Sequence, residues 1–274
     1  MHITYQLGRR FSAAALVCLS CSLLVSAADE PALTKEQIKN FLLTAKVVKS
    51  EHSKKGVTSP WRLTLSDGTL THDASFQAVD EHRSMARLAN GQLEPSFVDS
   101  YKYNIAAYAM AEMLGVDDMM PVYVERKWHG DAGSLSWWLP VKMDEEQRVK
   151  DKISAPDVHA WNEQMYRIRV FDQLVYDTDP NLTNFLISDN WKIWRIDFTR
   201  AFRVSNDLRA PSELQRCDRQ LFEKMKALNA DEVTEKTKHY LNKDEVKAVI
   251  ARRDKIVTIF EKLISEKGES EVLY

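Results

Sequence analysis

Apolar positions along this chain follow two periods, and the change of period divides it. Thr34-Lys35-Glu36-Gln37 is a capping box that opens a short helix to about Leu43. Three strand-like segments follow, 46–52, 61–65 and 70–79, the last two joined by Asp67-Gly68, a favoured hairpin pair. A polar loop, Ser53-Lys54-Lys55-Gly56-Val57-Thr58, joins the first two. A helix is predicted over 100–114, with Asp99 or Ser100 as cap and Gly115 as stop. Strands at 122–128 and 134–139 flank a His129-Gly130-Asp131 turn. From here the helical period takes over. Residues 143–154 read as a charged connector, and Pro156 opens a long helix whose stripe is Val158, Trp161, Met165, Ile168 and Phe171 or Leu174. Asn242-Lys243-Asp244-Glu245 is a second capping box, before a stripe running from Val246 to Leu263 and closed by Gly268. The pattern predicts an α+β chain of two lobes, β-rich over 28–142 and mostly helical over 143–268, with a frayed tail at 269–274.

The beginning of the chain obeys neither period. Arg9 and Arg10 precede an apolar run over 11–25 that ends in Ser26-Ala27-Ala28. A basic flank, a short apolar core and small residues make a secretory signal, residues 1–27. The run is short for a bilayer span. An uncleaved anchor is one alternative, and a lipoprotein signal at Cys21 another, which Leu23, Leu24 and Val25 fit poorly. Cleavage after Ala27 leaves 247 residues and a net charge of about −4. That size suits one sizeable domain or two lobes, and the charge leaves no footprint for nucleic acid. Cys18 and Cys21 depart with the signal, so Cys217 has no partner and reads as a small buried side chain rather than a reactive thiol. The expectation is an exported protein, periplasmic or secreted, with no membrane span after cleavage.

Candidate chemistry gathers at residues 176–202, YDTDPNLTNFLISDNWKIWRIDFTRAF. Phe185-Leu186-Ile187 is a short strand, Ser188-Asp189-Asn190 a turn, and 191–196 a strand back. A strand out and a strand back place Asn184 and Asp197 side by side at the open end, with Asp179 on the loop leading in. Such an oxygen-rich set suits Mg²⁺ or Mn²⁺ completed by substrate phosphates. One carboxylate then remains to take a proton from an attacking hydroxyl. The simpler reading of all three is turn-forming Asx residues.

FDQLVYDTDPNLTNFLI followed by WKIWRIDF resembles the catalytic core of the protein-kinase-like superfamily in its atypical branches: type II phosphatidylinositol 4-kinases, HipA-like kinases and the secretory-pathway casein kinases. Exported bacterial proteins of this type are similar. The resemblance rests on residues 168–202 and implies a two-lobed kinase-like fold. It implies Asp179 as catalytic base, Asn184 and Asp197 as metal ligands, and ATP or another nucleotide as donor to a protein or small-molecule acceptor.

The chain departs from that pattern where such kinases pair a strand lysine with a helix glutamate to hold the nucleotide phosphates. Gln77 and Asn104 stand at those positions. A glutamine facing a glutamate would strand a buried carboxylate, whereas two amides satisfy each other. The missing cation has substitutes in Lys55, Lys54, Lys49 or Arg62, each of which read alone is a surface charge. The loop around Lys55 has a single glycine, so few backbone amides can approach phosphates closely. Two function classes follow. One is a metal- and nucleotide-dependent phosphotransferase, with transfer of another group such as a nucleotidyl moiety as a variant. The other is an exported pseudokinase that binds a ligand or protein without catalysis. A periplasm holds little free ATP, which weighs toward the second unless another donor is used. Asn181-Leu182-Thr183 is a glycosylation sequon inside the proposed catalytic loop, which fits a bacterial periplasm better than a eukaryotic secretory route. The histidines are scattered without zinc spacing. The tryptophans on strands read as core. Arg200 reads equally as an anion contact or an ion-pair partner.

Overall fold

Helix α1 (Lys35–Thr44) begins where its cap is written: Thr34 and Gln37 exchange both bonds of a capping box. It buries Phe41 and Leu42 over a five-stranded antiparallel sheet of order β1-β2-β3-β7-β6. These strands are β1 (Lys46–His52), β2 (Trp61–Ser66), β3 (Thr71–Gln77), β6 (Tyr123–Trp128) and β7 (Asp131–Trp137). Alternation puts Leu63, Leu65, Ala74, Phe76 and Leu135 into the core, all almost fully buried. In this computed structural model the described residues are 33–52, 60–88, 91, 93–179 and 181–274. The predicted signal and the candidate phosphate cation Lys55, with Lys54, lie outside them. Residues 34–274 form one compact unit.

Gly133 on β7 lets β3 end where it does. A Cβ there would lie 2.5 Å from the Gln77 carbonyl and 2.6 Å from the Phe76 ring, so only glycine lets the strands meet at Gln77.

Residues 80–98, to which the sequence pattern assigns no element, form with the cap candidates Asp99 and Ser100 a hairpin, β4 (Asp80–Arg87) with β5 (Leu93–Ser100), that joins neither other sheet. Its polar faces are largely exposed, so no apolar alternation marks it, and Pro95 argues against a strand. The hairpin leads directly into α2 (Tyr101–Leu114), capped by the Ser100 hydroxyl and stopped by Gly115 at φ 68°.

The predicted connector over 143–154 is ordered structure: β8 (Met143–Asp144) and α3 (Glu145–Lys150), with Asp144 capping α3. Its glutamates sit in the first turn and Arg148 and Lys150 in the last, so its charges complement the helix dipole. α4 (Val158–Val175) follows, then a three-stranded sheet β10-β9-β8 built from β9 (Phe185–Ile187) and β10 (Ile193–Arg195). The remaining helices are α5 (Arg219–Ala227), α6 (Ala230–Thr237), α7 (Lys243–Lys267) and α8 (Glu269–Val272).

The tail is packed, contrary to the frayed end expected. Val272 and Leu273 are buried, Cys217 donates to the Val272 carbonyl, and the Tyr274 hydroxyl donates to the Glu163 carbonyl at 2.6 Å. Two apolar residues after a glycine are too short a pattern to betray docking. Cys217 is 1 % exposed, and burial raises its thiol pKa, which fits a structural side chain. Among the described residues no helix is long and apolar enough to cross a membrane.

Candidate active site

The loop that carries Asp179 is set by the end of α4. Tyr176 adopts a left-handed conformation (φ 51°) and closes the helix on Asp172. The next residue, Asp177, is 3 % exposed and binds Arg195, which is fully buried and also reaches Asp172 at 3.3 Å. Burial raises the carboxyls of Asp172 and Asp177, and the Arg195 charge opposes it. The Asp177 Oδ1 accepts from the Asp179 backbone at 3.1 Å. Arg195 ends β10, two residues before Asp197. One buried ion network therefore fixes both the Asp179 loop and the strand leading to Asp197. The Asp-Thr-Asp spacing was the signal for Asp177, and it was passed over.

Asn181 caps a 3₁₀ turn, Leu182–Asn184, by accepting from Thr183. That is the turn role expected of an Asx residue, but Asn184 has no such role. It is 7 % exposed, and its side-chain nitrogen is buried without a partner. The Ile196 amide donates to the Asn184 carbonyl at 3.0 Å, so Asn184 and Asp197 stand together at the open end of the β9–β10 hairpin, as the strand-out, strand-back pattern predicts.

Asp197 has φ 61°, a left-handed conformation uncommon for a residue with a Cβ and one that accumulates at functional sites. Burial pushes its carboxyl up to about 6. A hydrogen bond from Thr199, at 3.1 Å, opposes this, and the charges of Asp99, Asp179 and Asp177 add to it. The three predicted residues thus share one neighbourhood.

Gln77 and Asn104 meet as predicted. Asn104 on α2 is fully buried and donates to Gln77 at 2.7 Å and to the Ser134 hydroxyl at 3.1 Å. Its oxygen accepts from the Phe198 amide at 2.7 Å. The amide pair is thereby joined to the residue after Asp197, a link the sequence does not show.

The substitute cations are otherwise engaged among the described residues. Arg62 binds Asp73 at 2.5 Å and lies over the Trp138 ring, and Lys49 pairs with Glu51 at 3.0 Å. Arg200 pairs with Glu94 on β5, as does Arg203 at 2.6 Å, so Arg200 has the ion-pair role. Arg252 of α7, which the sequence pattern passes over as one more helix charge, is fully buried. It donates to the carbonyls of Leu174 (2.7 Å), Arg203 (2.9 Å) and Ser205 (2.5 Å), which pins the segment after Asp197.

No group of three or more His, Cys, Asp or Glu side chains among the described residues forms a protein-only metal cage. A site made of Asp197 and Asn184 suits a hard cation that keeps substrate or water oxygens. The orphaned Asn184 amide and the crowded Asp197 carboxylate fit such a cation, because a half-turn of the amide would present its oxygen.

The chain matches no family model and no curated protein sequence. Solved structures do match its shape. A Fam20 protein from hydra, solved with a sugar, superposes with a TM-score of 0.61 at 14% identity, covering 87% of this chain and 91% of that one. The Golgi casein kinase superposes with a TM-score of 0.60 at 12% identity, covering 87% and 77%. The chain therefore has an atypical protein-kinase-like fold, with a β-rich N-terminal lobe and a helical C-terminal lobe.

Proposed function

We propose that this chain is an exported, atypical kinase-like phosphotransferase that uses a nucleotide, ATP or another, with Mg²⁺ or Mn²⁺. The observation that carries the reading is the convergence of Asp179, Asn184 and a left-handed Asp197 at one hairpin end, with Asn184 buried and unpartnered. Asn184 and Asp197 hold the cation, and Asp179 accepts the proton of the acceptor hydroxyl. Bound there, the cation neutralises charge on the donor phosphates. Asn104 fixes the backbone after Asp197 through the Phe198 amide. Asp177 holds the Asp179 backbone. Gln77 offers the phosphates a neutral donor, and Lys55, outside the described residues, is the cation proposed for them.

A second reading has its own observation. The Gln77–Asn104 pair is satisfied without any charge, and Arg62 and Lys49 are committed elsewhere. This supports an exported pseudokinase that binds a ligand or protein without transfer.

Isothermal titration of the protein with ATP and GTP, with and without Mn²⁺ or Mg²⁺, separates the two when followed by a turnover assay. One structural neighbour was solved with a sugar and the other is a casein kinase, so sugar and protein hydroxyls are both offered as acceptors. An enzyme shows metal-dependent binding that Asp197→Ala abolishes, and turnover that Asp179→Ala abolishes. Binding without turnover on either acceptor selects the pseudokinase. No binding of any nucleotide ends the phosphotransferase reading and leaves a pseudokinase whose ligand is a protein or a glycan.

A further inference from the structure

The β4–β5 hairpin delivers a carboxylate to this site that the superfamily pattern does not account for. Asp99 is the penultimate residue of β5, and the Ser100 amide after it donates to the Thr199 carbonyl at 2.8 Å. That bond lays Asp99 against the segment following Asp197. The single Thr199 hydroxyl donates to the Asp197 Oδ1 at 3.1 Å, and Asp99 lies near enough for that hydroxyl and the Asp197 charge to act on it. One hydroxyl has one proton to give, and it goes to Asp197, so Asp99 gains no donor from it.

The rest of the neighbourhood does not make up the deficit. The Asp99 Oδ1 is buried with no partner. Arg200 is the basic group whose charge reaches Asp99, and its guanidinium is ion-paired to Glu94. Arg195, the buried cation on the other side, is committed to Asp177 and Asp172. Asp179 and Glu81 add further negative charge around Asp99. Next to Asp197 stands Asn184, more than nine-tenths buried, with its amide nitrogen unpartnered. A carboxylate oxygen without a donor, a second carboxylate near it and a buried amide nitrogen without a partner make a set that a cation would complete once the amide turns its oxygen inward.

We infer that Asp99 is a third protein ligand of the divalent cation, joining Asn184 and Asp197. This rests on the cation reading of those two residues. Two carboxylates and one amide oxygen make a hard, oxygen-only set, suited to Mn²⁺ or Mg²⁺ and not to zinc. It also gives the hairpin a function. The hairpin brings an acid from the N-terminal lobe to a cation held by the C-terminal lobe, so cation binding ties the lobes together at Thr199.

The test is calorimetric titration of the full chain with Mn²⁺ alone and with Mn²⁺ plus ADP, on the wild type and on Asp99→Asn, Asp99→Glu and Asp197→Asn. Melting in chelator, run in parallel, reports on folding. The expected result is Mn²⁺ affinity weakened by roughly tenfold or more in Asp99→Asn and partly regained in Asp99→Glu, with melting in chelator unharmed. A purely structural role would lower melting without this rescue of affinity. If Asp99→Asn titrates as the wild type does while Asp197→Asn loses binding, the cation is held without Asp99. The inference then falls and the site reading stands. If the wild type takes up no Mn²⁺ under either condition, both fall.

Discussion

Two polar knots flank Asp197, and they are built to opposite rules. On one side Asn104 is fully buried, and three hydrogen bonds tie it to Gln77, Ser134 and the Phe198 amide. Every member is neutral. On the other side one Thr199 hydroxyl serves Asp197, the Asp99 Oδ1 has no donor, Asp179 and Asp177 add charge, and the Asn184 side-chain nitrogen is unpartnered. The first knot is complete as a protein structure. The second is incomplete: the Asp99 Oδ1 and the Asn184 side-chain nitrogen have no partners, and the proposed cation would complete it. The lobe-bridging architecture therefore does not depend on a lysine–glutamate ion pair.

The sharpest way to break this contrast is to open the complete knot. Asn104→Leu keeps the volume but leaves the Phe198 amide and the Gln77 and Ser134 side chains without their partner. A loss of about 3 kcal/mol or more in denaturant unfolding is expected. A loss below about 1 kcal/mol would mean that water replaces the bonds and that the knot is not structural.

Next in size is a double-mutant cycle that rebuilds the charged pair. Gln77→Lys alone buries an ammonium against an amide, and Asn104→Glu alone buries a carboxylate beside one. Both single variants should lose stability. The double variant should regain about 2 kcal/mol of coupling, because each charge then has its partner. Additive losses would show that the two positions do not form the equivalent of the ion pair. Restored nucleotide affinity in the double variant would support the alignment of Gln77 and Asn104 with the lysine–glutamate pair.

How much of this was readable beforehand depended on whether a residue's role was written locally. The β9–β10 hairpin is an apolar run, a turn and an alternating run, so its open end and the juxtaposition of Asn184 with Asp197 follow from strand geometry. The Gln77–Asn104 contact was legible only because the resemblance fixed which strand and helix to align. The β4–β5 hairpin was missed because both of its faces are largely polar and Pro95 interrupts it, so neither period appears. With the hairpin unseen, Asp99 had only the role of a helix cap, which Ser100 in fact fills. Arg195 and Arg252 show the same limit from inside the core. Both are fully buried, and no rule of sequence pattern places an arginine there until its carboxylate or carbonyl partners from distant segments are known.

The acidic knot should announce itself in the pH dependence of stability, and the amide knot should not. Asp197 titrates near 6 in the folded protein, against an ordinary aspartate value of about 3.9 unfolded. The folded state therefore holds its proton more tightly between those values. By linkage, this contribution to stability is full below about pH 4 and declines as pH rises through about 6. In chelator, the difference between wild type and Asp197→Asn should grow across that window by on the order of 1 kcal/mol, allowing for the part of Asp197 that faces solvent. The same subtraction with Asn104→Leu should be flat. A flat Asp197→Asn difference would mean that the carboxyl is already compensated within the protein, and the contrast between the knots would lose its basis.

The smallest effect is the one whose sign is least intuitive. Removing a charge from the acidic knot should not weaken the folded protein in the absence of metal. Asp99→Asn keeps the shape of the side chain and relieves repulsion with Asp197 and Asp179. In chelator at neutral pH it should be neutral or more stable than the wild type by about 0.5 kcal/mol, read as a small rise in melting temperature. Saturating Mn²⁺ should reverse the order, because a cation that binds only the folded state stabilises the wild type by mass action and the variant less. Loss of stability in chelator would instead make Asp99 an ordinary structural partner of Thr199, and the knot would be as complete as the one around Asn104.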